Sequence, residues 1–142
     1  MRGIYVLFLR VPYTLSTLIG GLGEVEFRAG NYAYVGSALG GVEKRVGRHL
    51  SAEKKLHWHI DYLLLRAAPY DILAAEGEKG KECEVARKLS SELSCVEGFG
   101  CSDCGCVSHL FYSPTAAHLL EAVLRAFKEV GLKPRRLEWG GG

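Results

Sequence analysis

No stretch of this sequence is apolar for long enough to span a membrane. The longest such run is 4–9, and others such as 62–65 are only four residues, against the roughly 20 residues that a spanning helix takes. An excess of charge of one sign is lacking as well, with 18 Lys and Arg beside 16 Asp and Glu. A net charge of +2 announces no nucleic-acid partner by itself, so any such partner has to be argued from where the cations sit. An export signal is not expected, because the apolar run at 5–9 is brief and Arg10 and Pro12 follow at once. Internal repeats are lacking. These absences lead to the expectation of a cytoplasmic chain without a membrane partner. Cysteine is present in odd number, five in all, and Cys101, Cys104 and Cys106 fall within six residues. In a reducing compartment that pattern favours free thiols or a metal over a disulfide framework.

What is there suits one globular domain over 1–142. An apolar share of 48% beside 24% charged residues is the balance of a chain that buries a core rather than staying disordered. Segment 3–9 carries no charge, which predicts a strand in the middle of a sheet with both faces covered. Segment 14–22 is too rich in glycine for a firm helix and is expected to be a turn or irregular. Segments 24–29 and 31–35 suit two strands joined by the turn chemistry of Ala29-Gly30-Asn31. From Val42 the apolar residues Val42, Val46 and Leu50 recur every four positions, which predicts a helix. Segment 56–64 fits a strand or a helix. On a strand His57, His59 and Asp61 would share a face; on a helix only His57 and Asp61 would. Further strands are expected at 70–75 and 108–112, and helices at 82–93 and 116–130, the latter introduced by Ser113-Pro114. The block 98–106 has no periodicity and reads as a loop, and the glycine-rich end of the chain as loose. The fold class is α/β in the wider sense of α+β: a small, mostly antiparallel sheet flanked by helices, with 98–142 as a C-terminal extension.

Three groups of residues carry chemistry. The strand at 31–35 ends on Tyr34, a glycine-rich turn follows at 36–41, and Lys44, Arg45, Arg48 and His49 crowd one arc of the next helix. That order can hold a phenol and a guanidinium over one phosphate, since glycines let the backbone pass close to a ligand. It is equally the pattern of a surface helix with solvated cations. His57 and His59 titrate near neutral pH and could bind phosphate or act as an auxiliary acid; one of them packed on Trp58 and the other solvated is the bland alternative. Cys101, Cys104, Cys106 and His109 offer three sulfurs and an imidazole, the number a closed zinc site uses. Cys104 and Cys106 stand closer together than the arms of a zinc knuckle, however, which favours free cysteines in a tight turn capped by Asp103. Cys83 and Cys95 read as small core residues.

Gly3-Ile4-Tyr5 and Tyr34-Val35-Gly36 together resemble the two halves of the signature of the GIY-YIG nucleases, with Val in place of Ile in the second half. A closer likeness, through GIYVL, YVGSA, KKLHWHIDYLL, ECEVA and GFGCSDCGCVSHLFY, is to a small, mainly archaeal family of uncharacterised GIY-YIG-like proteins sometimes fused to an endonuclease III type enzyme. The resemblance implies a metal-dependent endonuclease in which Tyr34 is the general base, Tyr5 its hydrogen-bonding neighbour and Arg45 the phosphate clamp. Glu82 would be the ligand of one Mg²⁺ or Mn²⁺, with Glu84 as substitute and His57, His59 and Arg48 as auxiliaries. It also implies a nucleic-acid substrate, DNA ahead of RNA; a domain this small is expected to take its specificity from a repair-protein partner or a homodimer. Two other functions fit the same residues. One is a non-catalytic nucleic-acid-binding module using Lys44, Arg45, Arg48, Arg135 and Arg136. The other is a zinc or redox interaction protein built on the cysteine loop.

Overall fold

The computed structural model describes residues 1–101 and 104–138. The expected Asp103 cap and the loose end of the chain at 139–142 lie outside those residues. Strand β1 (Gly3–Val11) buries every residue but Arg10, because it runs between two neighbours: β4 (Gly30–Ala38) on one side and β5 (Ala68–Glu76) on the other, both antiparallel. β7 (Leu110–Ser113) lies beyond β4. Two-residue strands, β6 (Ser94–Cys95) and β8 (Arg135–Arg136), finish the sheet in the order β6-β7-β4-β1-β5-β8. The segment 98–142 therefore enters the sheet through β7 and β8.

The alternation of β1 sorts the core into two halves. Ile4, Val6 and Phe8 point to one face, where α3 (Gly80–Ser90) presents Val85, Ala86 and Leu89 and α4 (Ala116–Glu129) presents Leu119, Val123 and Phe127. Tyr5, Leu7, Leu9 and Val11 point to the other. There they meet Val42 and Val46 of α1 (Val42–Leu50), Ile60 and Leu63 of α2 (His59–Leu63), and Leu15 and Phe27 of a small hairpin, β2 (Leu15–Leu18) and β3 (Glu24–Phe27). The fold is thus α+β: a six-stranded antiparallel sheet between helical layers, plus a two-stranded hairpin. Among the described residues no helix is long and apolar enough to cross a membrane.

The structure corrects one expectation from the sequence and decides one that was open. The irregular stretch expected at 14–22 contains β2, since its glycines fall in the turn and leave Leu15 to Leu18 free to pair with β3. Segment 56–64, readable either way, turns into a helix at His59. The Asp61 carboxylate accepts the backbone N–H groups of His57 and Trp58, both at 2.8 Å, and so fixes the start of α2. Ser113-Pro114 does introduce α4, with Pro114 just ahead of its N-cap Thr115.

Candidate functional site

The site begins with the register of β1 on β4. Tyr5 stands opposite Gly36, and Leu7 opposite Tyr34, so the two tyrosines are diagonal neighbours on one face, their rings 6.4 Å apart. A Cβ on Gly36 would lie 2.5 Å from the Tyr5 ring and hydroxyl. Glycine is what lets the Tyr5 side chain lie across β4. From there its hydroxyl reaches His49 Nε2 on α1 at 2.7 Å, in a fully enclosed contact. Burial raises the Tyr5 phenol well above its ordinary range even though Arg45 opposes the shift, and burial together with Tyr5 and Glu82 does the same to Tyr34. The same desolvation lowers the His49 imidazole to about 4, the pull of Asp61 notwithstanding, so the ring is neutral at pH 7.

Around this pair opens a cleft of about 660 Å³, whose walls include Tyr5, Tyr34, Gly36, Ser37, Arg45, Trp58, Lys79 and Glu82. Arg45 donates to the Ser37 carbonyl at 3.2 Å and lies over the Trp58 ring, 4.5 Å from its centre. Glu82, in the first turn of α3, accepts from the Ser37 hydroxyl and from His109 Nδ1, the latter at 3.0 Å. Burial alone would push its carboxyl up. The bonds from His109 and Ser37, with the charges of His109 and Lys79, outweigh that and keep it ionised below the usual carboxylate range.

The cleft thus gathers Tyr5, Tyr34, Arg45 and Glu82. The other residues singled out in the sequence fall elsewhere. Arg48 also lies over Trp58, 4.2 Å from the ring centre, but its two terminal nitrogens grip Asp61 at 2.9 and 3.0 Å. His59 Nδ1 accepts the Gly100 N–H at 2.8 Å, and His57 is exposed with its ring edge against Trp58. Lys44 is exposed on α1. Arg135 lines a separate cavity beside Met1 and Glu76, and Arg136 is held by Asp71 at 2.9 Å on the far edge of the sheet. Glu84 turns to Lys81 at 3.6 Å. His49 is not on the cationic arc where the sequence places it with Lys44, Arg45 and Arg48, and Ser37 was not singled out there. His49 follows Val46 by three positions and so shares its buried face, and Ser37 follows the glycine that makes room for Tyr5.

Behind Glu82 lies a second group. Cys83, Cys104, Cys106 and His109 bring one ligand atom each to within 4.8 Å of one another. Cys83, which as a small apolar residue is expected in the core, belongs to this group. Cys101 does not; its thiol is turned toward the Phe99 carbonyl, 3.5 Å away.

A family model matches residues 4–132: Domain of unknown function DUF123. The chain belongs to the DUF123 family. This corrects the resemblance to the GIY-YIG nucleases, since DUF123 is the assignment found and no GIY-YIG assignment accompanies it. The tripeptides behind that resemblance have a local cause within this DUF123 domain. Gly36 clears the path of Tyr5, and a Cβ on Gly3 would stand 2.0 Å from the Ala75 carbonyl of β5. No curated protein and no solved structure matches the chain.

Proposed function

We propose that the cleft binds a nucleic-acid phosphodiester and hydrolyses it with the help of one divalent cation, Mg²⁺ or Mn²⁺. The observation that carries the reading is the convergence of Arg45, Glu82, Tyr5 and Tyr34 on one cleft. A guanidinium laid on an indole is braced for two oxygens of one phosphate, a geometry that an ammonium does not offer. Both phenols stay protonated, and Tyr34 serves the phosphate as a hydrogen-bond donor while the Tyr5 hydroxyl is taken up by His49. That differs from the general-base part expected of Tyr34, because desolvation works against a phenolate.

Glu82 fits a cation of this kind in a limited way. Each of its oxygens spends one lone pair, on Ser37 or on His109, and retains another. Mg²⁺ commonly binds through one or two carboxylates together with substrate phosphate oxygens and waters. Such an ion, when bound, supplies Lewis-acid polarisation of the phosphate. DNA is the substrate proposed ahead of RNA, in the cytoplasm and in a repair setting with a partner protein or a second copy.

The test is cleavage of labelled single-stranded, duplex and branched DNA and RNA with Mg²⁺ or Mn²⁺. Wild type is compared with Arg45→Ala, Glu82→Ala and Tyr34→Phe. The expected result is cutting that falls by about 10²-fold or more in the first two variants, and by less in Tyr34→Phe. Salt-sensitive binding without any cutting would replace this reading with that of a binding module. The engagement of both Glu82 oxygens by protein donors is what favours that second reading.

A further inference from the structure

We propose that Cys83, Cys104, Cys106 and His109 form a closed zinc site that ties the 98–109 loop to the first turn of α3. The four ligand atoms come from three places: Cys83 from α3, Cys104 and Cys106 from the loop, and His109 from the residue just before β7. They lie within 4.8 Å of one another, with Cys104 Sγ 3.2 Å from His109 Nε2. A tetrahedral ion with Zn–S bonds of about 2.3 Å asks for sulfur-to-sulfur edges of about 3.8 Å, within reach of small side-chain rotations.

The imidazole is positioned in advance. His109 donates its backbone N–H to Phe99 and accepts one from Val35 through its carbonyl, both at 2.9 Å. Its ring is buried, with Nδ1 directed at Glu82 at 3.0 Å and at the Val35 carbonyl at 3.1 Å. Only Nε2 is left, and it faces the sulfurs. A carboxylate behind a metal-bound histidine fixes the tautomer and strengthens the ligand, and Glu82 occupies that place. The three cysteines of the group are free thiols, and Cys104 already turns its sulfur to the His109 ring. Three sulfurs and one nitrogen favour zinc over harder cations, and with all four positions taken the site is structural, with no opening for a substrate.

The inference does not rest on cleavage, and its test reads metal and thiols. The full chain, purified under reducing conditions without chelator, is expected to carry one equivalent of zinc by elemental analysis. Cys101→Ser and Cys95→Ser are expected to retain it, whereas Cys83→Ser and Cys106→Ser lose it. Because a ligand variant can fail to fold, two measurements use the wild type alone. Cobalt exchanged into the site is expected to give the strong visible bands of a tetrahedral ion with thiolate charge transfer. A thiol reagent is expected to modify Cys95 and Cys101 readily and the other three only after chelation. Iron in place of zinc, metal well below one equivalent with all five thiols reacting together, or loss of metal in Cys101→Ser but not in Cys83→Ser would each overturn the proposal.

Discussion

The Tyr5 hydroxyl and His49 Nε2 meet at 2.7 Å inside the protein, while His49 Nδ1 has no hydrogen-bond partner among the described residues. One side of this ring is therefore well satisfied and the other is not, and protonating it would leave a buried cation facing a phenol. Folding favours the neutral ring.

That preference makes stability depend on pH. The unfolded chain takes a proton on this histidine near about 6.5, and the folded one only near about 4. The contribution of His49 is complete above the first value and is lost as the pH falls toward the second. Between pH 7.5 and 4.5 the loss from this ring is about 2–3 kcal/mol. Urea unfolding at the two pH values is expected to show a smaller difference in His49→Phe than in the wild type. Equal differences would mean that other groups carry the acid response.

Gly36→Ala is expected to destabilise the protein by about 1–3 kcal/mol, the usual cost of overpacking, because the new methyl meets the Tyr5 ring at 2.5 Å. In a Tyr5→Ala background the same change should cost much less. A double-mutant cycle by chemical denaturation checks this, with a coupling of at least about 1 kcal/mol expected.

Arg48 and Asp61 are expected to act on stability rather than on ligands. Asp61 is fully buried and its partner about 29% exposed, so Asp61→Asn should cost about 3 kcal/mol, toward the lower end of what breaking a buried pair costs. Arg48→Ala should lower the melting temperature too. Neither change should alter the salt dependence of nucleic-acid binding by the folded protein.

Arg45 is expected to behave in the opposite way. Arg45→Ala should weaken DNA binding and reduce the slope of log affinity against log salt by about one, with little loss of stability. Arg136→Ala, on the far edge and held by Asp71, should leave the slope unchanged. Filter binding or fluorescence anisotropy over a range of salt separates the two.

Glu82→Ala should lower the zinc affinity of the cysteine cluster by about 10–100-fold, since it removes the acceptor behind His109. Competition with a chelator of known affinity measures it. Unchanged affinity would show that Val35 alone orients the ring.

The long elements were legible because one physical signal dominated each. The uncharged 3–9 run announced a central strand, the spacing of Val42 and Val46 announced a helix, and Ser113-Pro114 announced the start of α4. β6 and β8 were not, since two residues carry no periodicity and are strands only because a neighbour offers them hydrogen bonds. The same limit applied at the cysteines. Cys104, Cys106 and His109 are close in sequence, but Cys83 joins them only because α3 packs beside the loop, a relationship that exists in space and not along the chain. His49 was hidden for another reason: a polar residue on an apolar helical stripe looks like surface until the neighbour that satisfies it, Tyr5, is seen.

The position of β1 has a consequence for how the chain acquires its structure. Its nine residues are almost wholly apolar-facing, yet they need β4 on one side and β5 on the other, with partners as far on as Glu76. During synthesis the most water-averse strand is therefore made before both of its neighbours and stays half paired until β5 has left the ribosome. Contacts of such long sequence separation slow folding, and this delay makes β1 the segment on which a chaperone or an aggregating neighbour would first take hold.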